Sequence, residues 1–166
     1  MTEIIKNKLF LGNLNDANNP NFLQEKGITT ILCVAYDLVI QSHKSTIYKK
    51  INTYYFDIYD NPQFDISKYF DELSDIIERE KVVLVHCLAG VSRSPTIVIA
   101  YLMKYHKSSL ENAYYFVKSK RRMINPNKGF MKQLIYQEKI LTGKNTMTLN
   151  DDYDDNRLIN DKCCIT

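Results

Sequence analysis

A cysteine and an arginine lie six residues apart in the segment His86–Ser94, with the sequence HCLAGVSRS. A strand-like run, Val82–Val85, precedes this segment, and a helix-like run, Pro95–Met103, follows it. Cys87 is therefore predicted at the floor of a loop that leads into a helix, where free backbone N–H groups and the helix dipole bind anions and favour a thiolate. Arg93 can fold back and offer a planar pair of donors to two oxygens of a tetrahedral oxyanion. A nucleophilic sulfur beneath an oxyanion site is suited to phosphoryl transfer through a phosphocysteine.

The alternative for Cys87 alone is a small buried hydrophobe at the end of a strand. Five residues at fixed spacing favour the chemical interpretation, and the strand-loop-helix context that it requires is present as well. The five residues are His86, Cys87, Gly90, Arg93 and Ser94. His86 taken alone would more often be a histidine satisfied within a core.

A phosphate monoester also needs a general acid, because its leaving oxygen departs as an alkoxide or phenoxide unless it is protonated. Two carboxylates are candidates, Asp57 and Asp60. Asp57 lies within an alternating apolar run, which predicts a position on a strand. Asp60 follows that run beside Asn61-Pro62, where a loop could carry it over the pocket, so we favour Asp60 and keep Asp57 as the alternative.

The segment 86–95 resembles the active-site loop of cysteine-based protein tyrosine phosphatases, and Ala89–Pro95 is similar to the small dual-specificity branch of that superfamily. The similarity extends to the opening strands (Leu9–Gly12 and Gly27–Leu32) and to the last helix (Asn125-Pro126-Asn127, Gly129-Phe130 and Leu134). It covers roughly residues 5–142.

The resemblance implies a set of roles. Cys87 attacks phosphorus, and Arg93 binds the equatorial oxygens together with the backbone amides of the phosphate-binding loop, which comprises Leu88, Ala89, Gly90, Val91, Ser92 and Arg93. Alignment with the acid loop of the family also selects Asp60, which acts first as acid and then as base. Ser94 donates a hydrogen bond to the sulfur, and His86 shapes the loop. This chemistry uses no metal and no cofactor.

The composition of the phosphate-binding loop indicates the class of substrate. Leu88, Ala89, Val91 and Ser92 add no positive charge beside Arg93, which favours a singly phosphorylated protein side chain over a polyphosphorylated lipid. The short chain favours a shallow pocket, and the resemblance implies activity on phosphotyrosine and on phosphoserine or phosphothreonine. Two alternatives remain open at this stage: a catalytically weak phosphate-recognising scaffold, and another thiolate-oxyanion enzyme such as a sulfur transferase or an arsenate reductase.

A chain of 166 residues with 45% hydrophobic and 25% charged residues is typical of one globular domain. The sequence contains no apolar run that could span a bilayer and no secretory signal. The four cysteines do not form a disulfide pattern, and a catalytic thiol suits a reducing compartment. We therefore expect a cytoplasmic protein, with the nucleus not excluded.

The net charge of the chain is +3, but it is unevenly distributed. Residues 151–166 carry five aspartates and two basic residues, a net charge of −3, so residues 1–150 carry +6. A basic body attracts phosphorylated partners. Nucleic-acid binding is not expected, since Lys49-Lys50 and residues 118–122 are interpreted as solvated faces.

Residues 1–143 are predicted to form the phosphatase-like domain and residues 144–166 an acidic, disordered tail. The tail ends in Cys163-Cys164-Ile165-Thr166, which has the form of a prenylation box with Cys163 as acceptor, or is a chance pair of cysteines. Membrane association is expected only if Cys163 is prenylated.

Alternating strand and helix patterns predict an α/β fold with a central, mostly parallel sheet of about five strands flanked by helices. The strand candidates are Lys8–Leu11, Thr29–Ala35, Tyr54–Ile58 and Val82–His86. The helix candidates are Pro20–Lys26, Asp65–Glu80, Pro95–Lys104, a helix capped at Ser108-x-x-Glu111, and a last helix from Asn127.

Overall fold

The centre of the molecule is a single five-stranded sheet, seen in a computed structural model that describes residues 1–35 and 51–149. Its strands are β1 (Thr2–Ile5), β2 (Leu9–Gly12), β3 (Thr30–Cys33), β4 (Asn52–Tyr55) and β5 (Val83–His86). They lie in the order β1-β2-β5-β3-β4, with β1 antiparallel to β2 and all other neighbours parallel. The predicted α/β fold with a mostly parallel sheet is confirmed.

Six α-helices pack on the two faces of this sheet within the described residues. They are α1 (Leu14–Ala17), α2 (Pro20–Glu25), α3 (Phe70–Arg79), α4 (Arg93–Tyr105), α5 (Leu110–Lys120) and α6 (Lys128–Thr142). Helices α1 and α2 contribute Ala17 and Leu23 to a small cluster with Phe10, Ile31 and Leu84. The other four helices form the larger core. Every residue of β2, β3 and β5 is buried, as expected for parallel strands that are covered on both faces.

Helix α4 is the central helix of the larger layer, and every residue from Ser94 to Met103 is buried. Only a helix surrounded by other elements can bury all its sides, and α4 packs against α3, α5 and α6 as well as the sheet. The loop 87–92 between β5 and α4 is thus held at one end by a fully buried strand and at the other by a helix that is buried on all sides. This loop lies at the carboxyl end of β5, as the rule for parallel sheets predicts.

The structure corrects several local sequence predictions. Strand β1 and helix α1 were not predicted, because each has four residues of which only one is buried, so neither leaves an apolar pattern in the sequence. A 3-10 turn at Ser67–Tyr69 precedes α3, so the predicted helix from Asp65 begins later. The capping box at Ser108 was wrong: Ser109 is the N-cap of α5 and accepts from the Asn112 N–H, while the Glu111 N–H donates to Thr146 Oγ.

The strand predicted at Tyr54–Ile58 ends at Tyr55, so Asp57 does not lie on it. The Ile58 N–H donates to the Phe56 carbonyl at 3.0 Å, a three-residue turn that bends the chain out of the sheet. Both candidate aspartates therefore belong to one loop that follows β4.

Residues beyond the predicted boundary at 143 still contact the domain. The backbone N–H and the hydroxyl of Thr146 both donate to the buried Glu138 carboxylate, at 2.8 and 2.7 Å. Met147 and Leu149 pack against the larger core. The acidic stretch 151–166 with Cys163, like Lys49-Lys50, lies outside the described residues.

No helix in the described part of the chain is both long and apolar enough to cross a membrane.

Candidate active site

Cys87 lies at the bottom of the loop between β5 and α4, with 1% of its surface exposed. Its Sγ accepts a hydrogen bond from the Gly90 N–H at 3.2 Å and another from the Ser94 hydroxyl at 3.2 Å. Donors that point at a sulfur stabilise its anionic form, and Sγ also lies next to the N-terminus of α4. The structure therefore brings Cys87, Gly90 and Ser94 together as the sequence predicted.

The other described cysteine has a different environment. Cys33 is buried at the end of β3, and this burial raises the pKa of its thiol to about 11. Cys33 therefore remains protonated and unreactive at neutral pH. It provides an internal comparison for the reactivity of Cys87.

Gly90 has a left-handed backbone conformation that residues with a side chain rarely adopt, with φ of +69°. A Cβ at this position would lie 2.6 Å from the Arg121 Nη2 atom and 2.6 Å from the Gly12 carbonyl oxygen. The loop is thus shaped by backbone strain and by close contact with β2.

We expect Gly90→Ala to reduce kcat/KM by at least about 100-fold, because the loop must move away from Gly12 and no longer directs its amides inward. Gly143→Ala is the matched control, since Gly143 has φ of +76° but no atom within 4 Å of its missing Cβ. This control should lose about 1 kcal/mol of stability and no activity. Urea unfolding and steady-state kinetics of both variants would check the prediction, and equal activity losses in the two would contradict it.

Arg121 supports the loop from behind. Its Nε donates to the Gly90 carbonyl at 3.0 Å, its Nη2 to the Ala89 carbonyl at 3.4 Å, and its Nη1 to Thr2 Oγ at 3.3 Å. Because the C=O and N–H of a peptide point in opposite directions, tying these carbonyls back turns the following N–H groups toward the pocket. Sequence reasoning missed this role, and the interpretation of residues 118–122 as a solvated face was wrong for Arg121, which is 9% exposed.

Asp60 is the candidate acid that reaches the loop. Its Oδ1 accepts from the Ser92 hydroxyl at 2.7 Å and from Asn127 Nδ2 at 2.9 Å. Its Oδ2 lies 3.7 Å from Arg93 Nε. Asp57, by contrast, contacts its own loop, where its Oδ2 accepts from the Tyr59 hydroxyl at 3.2 Å. The geometry favours Asp60 over Asp57.

Arg93 connects the phosphate-binding loop to the acid loop. Its Nη1 donates to the Ile58 carbonyl at 3.2 Å, and its side chain is 14% exposed. His86 is buried at the end of β5, with Nδ1 3.3 Å from the Cys87 carbonyl oxygen, a contact consistent with a shaping role. Within the described residues, no group of histidine, cysteine or carboxylate side chains could hold a metal ion.

A family model described as the dual specificity phosphatase, catalytic domain, matches residues 9–140 of this chain. The chain belongs to the dual specificity phosphatase family. It is 40% identical to mouse dual specificity protein phosphatase 18 over 151 residues, which covers 89% of this chain and 78% of that protein. It is also 40% identical to human dual specificity protein phosphatase 14 over 149 residues, covering 87% and 73%. The relationship inferred from the loop 86–95 is therefore confirmed.

Solved structures agree with this family assignment. The human tyrosine phosphatase-like serine/threonine/tyrosine-interacting protein superposes with a TM-score of 0.76 at 34% identity, covering 84% of this chain and 96% of that one. The relatives confirm the predicted enzyme class. This dual specificity phosphatase is a protein phosphatase, an enzyme that hydrolyses phosphoric monoesters.

Proposed function

We propose that this enzyme hydrolyses singly phosphorylated protein side chains through Cys87, Arg93, Asp60 and Ser94. The observation that carries the proposal is the convergence of two donors on Cys87 Sγ with Arg93 and Asp60 at the mouth of the same loop. A scaffold without turnover would not need this full set. The family relationship argues against a sulfur transferase or an arsenate reductase.

In the first step, Cys87 Sγ attacks phosphorus and the bond from phosphorus to the leaving oxygen breaks. Asp60 gives its proton to that oxygen, so the side chain departs as a neutral hydroxyl. Arg93 and the backbone amides of the loop bind the equatorial oxygens, whose negative charge is then held by fixed donors. The product of this step is a phosphocysteine.

In the second step, the carboxylate of Asp60 takes a proton from water as the water oxygen attacks phosphorus. The bond between sulfur and phosphorus breaks, and Cys87 leaves as a thiolate. The hydroxyl of Ser94, 3.2 Å from Sγ, donates to the departing sulfur and lowers the cost of its charge. Inorganic phosphate is released and Asp60 is again protonated.

The proposed substrates are phosphotyrosine and phosphoserine or phosphothreonine in proteins. Arg93 is the single lysine or arginine of the segment 86–95, which matches one phosphate group rather than several. The basic body of the chain favours encounter with phosphorylated partners. Since the mechanism needs a reduced thiol, we propose the cytoplasm as its location.

Phosphopeptide pairs would test this proposal. Peptides that carry phosphotyrosine or phosphothreonine at the same position should both release phosphate, and orthovanadate should inhibit the release of each. A phosphatidylinositol trisphosphate presented in detergent micelles is the comparison substrate. Faster release from this lipid than from either peptide, or no vanadate-sensitive release at all, would refute the proposal.

A further inference from the structure

Two side chains from distant parts of the chain, Ser92 and Asn127, meet at Asp60. Both of its short contacts are on Oδ1, which accepts from Ser92 Oγ at 2.7 Å and from Asn127 Nδ2 at 2.9 Å. The backbone N–H of Asn127 also donates to Ser92 Oγ, at 3.1 Å. The three residues thus form a closed triangle of hydrogen bonds, of which only Asp60 and Ser92 were predicted from the sequence as site residues.

Asn127 cannot turn its amide away from this triangle without losing a second contact. It is the N-cap of α6, and its Oδ1 accepts from the Phe130 N–H at 3.0 Å. Since the oxygen is committed to the helix, the amide nitrogen must face Asp60. One side chain therefore links the start of a 15-residue helix to the candidate acid.

The backbone of the acid loop is fixed to the same helix. A Cβ at Gly129 would lie 1.8 Å from the Pro62 carbonyl oxygen, so the first turn of α6 packs directly on the loop. Further along, Gln133 Nε2 donates to the Phe64 carbonyl at 2.9 Å, and Gln133 Oε1 accepts from the Ser67 N–H at 2.9 Å. The acid loop and α6 therefore form one rigid support.

We propose that Asn127 and Ser92 are positioning residues that hold Asp60 for proton donation and decide which of its oxygens carries the proton. Two donors on Oδ1 satisfy that oxygen as an acceptor, so the acidic proton lies on Oδ2. Oδ2 is 3.7 Å from Arg93 Nε and is therefore the oxygen nearest the phosphate site. This inference rests on the proposed function, in which Asp60 is the general acid.

The test compares two substrates that differ only in their need for a proton. Asn127→Ser keeps an N-cap for α6, because serine caps helices as well as asparagine does, but it removes the donor to Asp60. We expect kcat/KM for phenyl phosphate to fall about tenfold, the loss of one hydrogen bond that positions the acid. With dinitrophenyl phosphate, whose leaving group departs without protonation, the change should stay below about twofold.

The matched control is Asn19→Ser, because Asn19 caps α2 through an equivalent bond to the Phe22 N–H at 3.2 Å and lies outside the described triangle. This variant should leave both substrates unaffected. Thermal unfolding of the two variants should agree within about 2 °C, which separates positioning from loss of fold. Ser92→Ala should reproduce the substrate dependence of Asn127→Ser.

A double-mutant cycle with Asp60→Ala completes the test. If Asn127 acts through Asp60, Asn127→Ser has no further effect on phenyl phosphate in the Asp60→Ala background. An equal loss for both substrates, or a loss that persists without Asp60, would overturn the positioning role. If the wild type has vanadate-sensitive activity and either of these two results is found, only the positioning role of Asn127 and Ser92 is refuted. A wild type without vanadate-sensitive activity would instead refute the proposed function. The proposed function would also be refuted if Asp60→Ala lowered kcat/KM by the same factor for phenyl phosphate and dinitrophenyl phosphate.

Discussion

The Cys87→Ser protein is expected to fold normally and to lose phosphatase activity by at least about 10⁴-fold. The substitution keeps a donor and acceptor of similar size between Gly90 and Ser94, so the loop should survive. A serine hydroxyl does not ionise at neutral pH, and the two donors that stabilise a thiolate cannot supply that missing charge. The chemical step should therefore stop while phosphate binding remains.

Steady-state release of phosphate and binding of a phosphopeptide would measure the two parts of this prediction. Cys33→Ala is the control, since it removes the second described thiol without burying a hydroxyl and should leave turnover within about twofold. Iodoacetate adds a direct comparison of the two described thiols: burial raises the pKa of Cys33 to about 11, so alkylation at neutral pH should modify Cys87 in preference to Cys33. Substantial turnover by Cys87→Ser, or equal alkylation of both thiols, would contradict the nucleophilic role.

The phosphate-binding loop could be predicted from the sequence because its parts are contiguous. Cys87, Gly90 and Ser94 lie within eight positions, and the flanking strand and helix have unambiguous apolar runs. The bond from the Ser94 hydroxyl to Cys87 Sγ, which the resemblance implied, is present, whereas the bond from the Gly90 N–H to the same sulfur was not predicted. The order of the chain after β4 also favoured Asp60, the aspartate that the structure places beside Ser92 and Arg93, although it placed Asp57 wrongly on the strand.

The supporting contacts could not be predicted in this way. Asn127 is 67 positions from Asp60, and Arg121 is 31 positions from Gly90. Neither contact leaves a periodic pattern in the sequence, and a cluster of basic residues such as 118–122 is usually solvated. Only the packing of α5 and α6 against the loop brings these side chains into place. The residues that hold the site rigid are thus the ones that depend on the tertiary fold.

Arg93→Lys is expected to reduce kcat/KM by about 10³-fold while it preserves the charge of the site. The planar guanidinium can donate to two equatorial oxygens at once, whereas an ammonium offers a point charge on a flexible stem. Lysine also cannot keep both present contacts of Arg93, the bond from Nη1 to the Ile58 carbonyl at 3.2 Å and the approach to Asp60 Oδ2 at 3.7 Å. The loss should therefore affect both phosphate binding and alignment of the acid loop.

Two measurements separate these effects. The affinity for orthovanadate, which occupies the phosphate site, should fall with Arg93→Lys because the bidentate contact is lost. The ratio of kcat/KM for dinitrophenyl and phenyl phosphate should rise, because Asp60 is no longer held beside Arg93. Arg122→Lys is the matched control, since Arg122 is the exposed neighbour of the buried Arg121 and should tolerate the same change without effect. If Arg93→Lys retains wild-type vanadate affinity, the charge of residue 93 suffices, and the planar donor pair inferred from the sequence is not what binds the phosphate.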